Sequence, residues 1–207
     1  MGRPRQFDES ALLDAATELF WSQGFEQTSV EDVSRASGIG NGSIYAAYRS
    51  KRGLFLAAFE RYCEGRARLV REVVTSAPGS AQAAVRALFE AIIDDCVSQP
   101  DRRGCLMLNS IAQLGSRLPE VISIGNRTTA AMERGVAERL RRAAEESGAE
   151  LDASTLAAYS ATVVMTAQGL IQLSRLGTPL GRLRDIAEVS SRNLPEAWNV
   201  PVADRVR

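Results

Sequence analysis

The sequence predicts an all-α fold in which a small N-terminal cluster of short helices precedes a larger C-terminal helical body. Three observations carry that reading. Apolar residues recur at three- and four-residue spacing along most of the chain, Ala, Leu, Arg and Glu are abundant, and long stretches lack alternating β-branched runs. At 207 residues and 45% hydrophobic composition there is chain enough for a sizeable core or for two substructures packed together.

The first element runs from Ser10, where Leu12, Ala15, Ala16, Leu19 and Phe20 form an apolar stripe between a cap at Asp8 and a stop at Gly24. Thr28-Ser29-Val30-Glu31 then fits a capping box with Thr28 as cap, and Val30, Val33 and Ala36 supply the inward face of a second helix. After Ser37 the string Gly38-Ile39-Gly40-Asn41-Gly42 interrupts helix before Ser43-Ile44-Tyr45-Ala46-Ala47-Tyr48 resumes it. Ile44 and Tyr48, four apart, anchor this third helix and leave Asn41, Gly42, Ser43 and Tyr45 near its N-terminus or outer face. A plain helical hairpin explains the pattern alone. The order of a bracing helix, a glycine turn and a helix with short outward side chains also has the physical form of a helix-turn-helix reader of a major groove. Arg49, Lys51 and Arg52 follow around a turn, and Ser50 is placed to cap a fourth helix whose Leu54, Phe55, Ala58, Phe59 and Tyr62 face the preceding three.

These residues resemble the DNA-binding domain of the TetR family of bacterial transcriptional regulators, from about Phe7 to Phe59. The match is strongest in Gly38-Ile39, Gly42-Ser43-Ile44-Tyr45, Tyr48 and Ser50-Lys51-Arg52-Gly53-Leu54-Phe55. The resemblance implies reader helices near residues 9–24, 28–36 and 41–48, a DNA-binding domain over 1–55, and a C-terminal effector-binding and dimerisation domain over 56–207. It implies backbone contacts from Thr28, Tyr48 and Lys51, and base or adjacent phosphate contacts from Asn41, Gly42, Ser43 and Tyr45. Arg3 and Arg5 resemble a basic arm that enters or skirts a minor groove. Gly40 departs from the family pattern, in which many relatives carry serine or threonine, and Asn41 is a candidate to take over the cap.

Beyond residue 75, Ser76-Ala77-Pro78-Gly79-Ser80 breaks the long fourth helix, and Val85, Leu88, Phe89, Ile92 and Ile93 pattern the next. The segment CLMLNSIAQLG, from Cys105, is apolar enough to be buried, which makes Asn109 and Gln113 notable because a buried amide needs partners. Bonds to backbone or to another helix satisfy them as well as a ligand would. Met132, Val136 and Leu140 face inward from a charged helix. Asp152 caps another, whose wide apolar surface (Leu156, Tyr159, Val163, Val164, Ala167, Leu170, Ile171 and Leu173) suggests more than one partner, and Leu183, Ile186, Ala187, Val189 and Leu194 pattern a last. The family resemblance implies a homodimer through a four-helix seam, and a small-molecule effector with Met107, Asn109, Met165 and Gln168 as pocket candidates.

The charge balance, 25 basic against 25 acidic side chains, argues against bulk adhesion to nucleic acid or membrane and requires any phosphate-binding face to be local. No apolar run looks long enough to span a membrane, and MGRPRQFDES lacks an export signal, so the expected setting is cytoplasmic, without a membrane partner. The chain has no histidine, and Cys63, Cys96 and Cys105 form neither a metal pattern nor a disulfide framework. No catalytic residue, metal or cofactor is therefore assigned, although an enzyme with an appended reader is an alternative class. Cys105, behind Arg102-Arg103-Gly104 at a helix start, is a candidate redox or electrophile sensor or a small core residue. A repressor that binds a palindromic double-stranded operator and is released by a small molecule is the expectation. A Cys105-based redox repressor and a ligand-independent structural DNA-binding protein are the alternatives.

Overall fold

The computed structural model describes residues 8–99, 101–195 and 198. Arg3 and Arg5, the candidates for a basic arm, lie outside the described residues. Among the described residues the order is α1 (Glu9–Gln23), α2 (Val30–Ser37), α3 (Asn41–Tyr48), α4 (Lys51–Ser76), α5 (Ala81–Ser98), α6 (Leu106–Leu114), α7 (Pro119–Ser147), α8 (Ala153–Arg175) and α9 (Leu180–Arg192), with no strand.

Local chemistry explains most helix ends. The Asp8 carboxylate accepts from the Ala11 amide, Ser50 Oγ from Gly53, Ser80 Oγ from Ala83, and the Asp152 carboxylate from Ser154 and Thr155. Those bonds hold the Asp152 carboxyl well below the usual carboxylate range. Gly24, Gly38 and Gly148 close their helices at positive φ. The expected capping box is displaced by one residue. Ser29, rather than Thr28, caps α2, and Asp32, rather than Glu31, returns the bond to the cap amide at 2.9 Å. Ala36 is exposed, so Val30 and Val33 alone bury the inner face of α2.

Helix α4 organises the molecule. Its first half packs on α1 and its remainder on α5, α6 and α7, the last contact being the most extensive in the structure. Phe55 lies edge-on to Phe20 at 5.2 Å and to Phe25 at 5.1 Å, and stacks on Phe59 at 5.6 Å, so one aromatic cluster fixes α1 and the α1–α2 turn to α4. Gly53 is required there: a Cβ on it would stand 2.1 Å from the Tyr48 carbonyl oxygen, a clash with backbone that cannot relax.

The C-terminal body packs α7 on α8, α5 on α8 and α5 on α9. Helix α8 alone among the described residues is long and apolar enough to cross a membrane, an exception to the expectation that no such run exists. Its inner face, with Val163, Val164, Ala167, Leu170 and Ile171, is buried in the body. Its outer face leaves Met165 and the following Leu176 exposed, as α9 leaves Val189.

Candidate nucleic-acid interface and interior cavity

The three short helices present an outward surface whose residue types follow from their packing. Ile44, 1% exposed, is the sole fully buried residue of α3. Gly42, Ser43, Tyr45 and Ala46 consequently face solvent, and nothing lies within 4 Å of where a Gly42 side chain would begin. A helix held by one inward anchor, with short or flat outward side chains, can approach a groove closely. Gly40 caps α3 without a side-chain bond, and Asn41 does not substitute for it: its Oδ1 is buried and unpartnered. Ser34 Oγ, on α2, donates to the Ile39 carbonyl at 2.6 Å and fixes the turn between the two helices.

Three anchoring candidates fare differently. Lys51 Nζ donates to the Glu26 carbonyl at 3.1 Å and lies 4.6 Å from the centre of the Phe25 ring, beside the α1–α2 turn. Tyr48 is half-buried, and its hydroxyl donates to Glu9 at 2.7 Å, tying α3 to the start of α1. Thr28 is 1% exposed, and its hydroxyl donates to the carbonyls of Gly24 at 2.9 Å and Leu19 at 3.2 Å. A side chain so placed holds the turn together and offers no hydroxyl to a phosphate.

Inside the body, a closed apolar cavity of about 30 Å³ is lined by residues including Arg66, Cys105, Met107, Met132, Ala167 and Gln168. Of the four effector candidates, Met107 and Gln168 line it. Asn109 does not: its amide nitrogen donates to the Arg103 carbonyl and its oxygen accepts from Arg175, bonding that joins α6 to the end of α8. Met165, 65% exposed, lies on the outer face of α8. Arg66 carries the cavity's charge and is paired with Asp95 at 2.9 Å. It was missed in the sequence because α4 spacing alone gives no sign that an arginine is turned inward.

All three cysteines are free and buried. Burial pushes the Cys63 thiol up to about 12 and raises Cys96 as well. Cys105 sits at the start of α6, where its Sγ accepts from the Tyr62 hydroxyl at 3.5 Å. The Arg103 side chain, expected to activate this thiol, turns away toward α1 and pairs with Glu18.

An outward-facing third helix braced by a second, on a bundle continuous with a larger helical body, defines a helix-turn-helix DNA-binding regulator. Residues 12–58 match the family of bacterial regulatory proteins designated tetR. The chain is 31% identical over 194 residues to YezE of Bacillus subtilis (strain 168), an uncharacterized HTH-type transcriptional regulator, covering 92% of this chain and 97% of that one. It is also 31% identical to the HTH-type transcriptional repressor ComR of Escherichia coli (strain K12), with coverage of 94% and 92%. A solved TetR-family regulator, a cysteine mutant of CifR complexed with 26 bp operator DNA, superposes with a TM-score of 0.72 at 29% identity, covering 94% of this chain and 100% of that one. The chain belongs to the TetR family, and is a DNA-binding transcriptional regulator rather than an enzyme.

Proposed function

We propose that this protein is a ligand-responsive repressor that binds a palindromic operator as a homodimer and is released by a small molecule. The observation that carries the reading is the bare outer face of α3, Gly42, Ser43 and Tyr45, held by Ile44 and braced by α2. Asn41, Gly42, Ser43 and Tyr45 read bases or adjacent phosphates, Tyr48 and Lys51 hold the backbone, and Arg3 and Arg5 skirt the minor groove. The reader spans 1–55 and the effector and dimerisation domain 56–207, with α4 crossing the boundary as one helix. The operator complex of CifR supports the DNA partner, and the repressor designation of ComR supports the direction of control.

The exposed apolar side chains Met165 and Leu176, at α8 and its end, and Val189 on α9 form the dimer seam, which covers the face of α8 the monomer leaves bare. The effector enters the cavity beside Met107 and Gln168. At about 30 Å³ the resting cavity holds about one water, so an effector must displace side chains, and flexible Met107 and Met132 are suited to yield. Arg66 favours an effector with an acceptor or negative group. The setting is cytoplasmic, where duplex DNA is available.

Selection of bound fragments from a random duplex pool tests the function. Enrichment of an inverted repeat is expected, and absence of any enriched sequence across salt conditions refutes specific recognition. A second reading, an electrophile-responsive repressor, is favoured by one observation: Cys105 lines the cavity. Thiol labelling with mass spectrometry decides it, since a Cys105 inert in the folded protein leaves only non-covalent sensing.

A further inference from the structure

The cavity and the reader are joined by a route much shorter than α4. Arg103 and Cys105 are separated by one residue, Gly104, which stands at φ +73° with Arg175 Cδ 3.3 Å from where a side chain would begin. The two flanking side chains serve opposite ends. Cys105 lines the cavity. The Arg103 guanidinium lies over the Trp21 ring, 4.4 Å from its centre, and pairs with Glu18 at 2.7 Å, both on α1. Tyr62 closes the circuit: its hydroxyl donates to Cys105 Sγ and accepts from the Leu106 amide at 3.3 Å, while its ring meets Trp21 edge-on at 5.3 Å. Trp21 is thus gripped from two sides by groups tied to the cavity wall.

Two further features make this grip movable. Trp21 Nε1 is buried without a hydrogen-bond partner, so shape and the cation hold the ring rather than a directed bond. A polar cavity of about 350 Å³ adjoins it, lined by residues including Trp21, Arg103, Asn109 and Arg175, and gives the end of α1 room to shift.

We propose that Arg103 and Tyr62 are positioning residues that transmit the state of the cavity to the reader through Trp21. The inference rests on the ligand-responsive reading above and names the contacts that would carry the response. An occupant that displaces Cys105 moves the start of α6, and with it the two groups holding Trp21. Because α1 carries α2 and α3 through the aromatic cluster, the reader turns with it.

The test needs no effector. Ala167→Val fills the cavity by two carbons, and Val164→Ile adds one carbon to the same wall if the first variant fails to fold. In a Trp198→Phe chain, Trp21 is the sole remaining tryptophan, and its fluorescence reports the junction without DNA. The filled cavity is expected to shift Trp21 emission in the intact chain and to leave it unmoved in Arg103→Ala and Tyr62→Phe backgrounds. On selected operator DNA, Ala167→Val is expected to change affinity about five-fold or more with Arg103 present and less than about two-fold without it. Arg103→Lys keeps a charge for Glu18 but no planar face, so it is expected to retain folding stability and lose the coupling, which a merely structural role would not do. A filled cavity that leaves Trp21 unmoved in the intact chain, or effects of the two sites that simply multiply, overturns the proposal. If no DNA is selected while the fluorescence coupling holds, the proposed function fails and the coupling stands.

Discussion

Thr28→Val separates a structural role from a DNA-binding one at a residue whose family position implies a phosphate contact. The substitution keeps the volume and removes one hydroxyl from a site 1% exposed. Gly24, at φ +85°, turns the chain out of α1, and its carbonyl accepts the Thr28 hydroxyl at 2.9 Å; the bond to Leu19 at 3.2 Å is longer. Leaving a buried carbonyl without its donor costs on the order of 1–3 kcal/mol, and the weaker second bond adds little. A loss of about 1–2 kcal/mol corresponds to a fall in Tm of about 2–8 °C for a protein of this size. The assay is thermal unfolding at fixed protein concentration, because association makes Tm concentration-dependent. Thr28→Ser, which keeps the hydroxyl, is the control and should retain most of the stability. The salt dependence of operator binding by Thr28→Val should keep the wild-type slope. Unchanged stability together with a slope shallower by about 0.9 per lost contact would show that the hydroxyl serves phosphate and that the buried assignment is wrong.

Four further outcomes are expected. Lys51→Ala should weaken binding to all duplexes and flatten the salt slope by about 0.9, whereas Ser43→Ala and Tyr45→Phe should change the ranking of operator variants, measured by competitive titration. Ile44→Ala should cost about 2–4 kcal/mol in denaturant unfolding, since it removes the one fully buried anchor of α3. Burial keeps Cys63 protonated up to about 12 while the unfolded thiol ionises near 9, so the folded state binds more protons between these values; stability should be intact below pH 9 and decline as pH rises toward 12, with Cys63→Ala removing that part of the slope. Met165→Arg, on the bare face of α8, should yield a folded monomer in light scattering with operator affinity reduced by tenfold or more, of the order expected when two half-sites no longer bind together; a dimer of unchanged stability would place the seam elsewhere.

How much of this was legible in the sequence depended on the range of the interaction. The caps at Asp8, Ser50, Ser80 and Asp152, the glycine stops and the inward stripes repeat at helical spacing, and each involves residues within a turn or two of one another. A local code suffices for such features. The one-residue displacement of the α2 cap illustrates the limit: Thr28-Ser29 offers two hydroxyls, and the choice fell to Ser29 because Thr28 is drawn under α1 by carbonyls four and nine residues away. The motif from Gly38 to Phe55 likewise carried the identity of the reader, although the backbone approach that makes Gly53 necessary is visible only in three dimensions.

The sequence by itself determined an all-α chain, a helix-turn-helix reader at its start and the residues that α3 can present, because helical periodicity and capping are set by neighbours. Only the tertiary structure decided which polar side chains turn inward. Arg66 at the cavity, Asn109 bonded to Arg103 and Arg175 rather than facing a ligand, and Met165 on the outer face of α8 share sequence patterns with alternatives that periodicity cannot separate. The approach of Arg103 to Trp21 and Glu18 spans more than eighty residues, and no helix pattern encodes it. Its physical origin is the packing of α6 and its preceding loop against the end of α1, which places a cation over an aromatic ring that neither segment could locate alone.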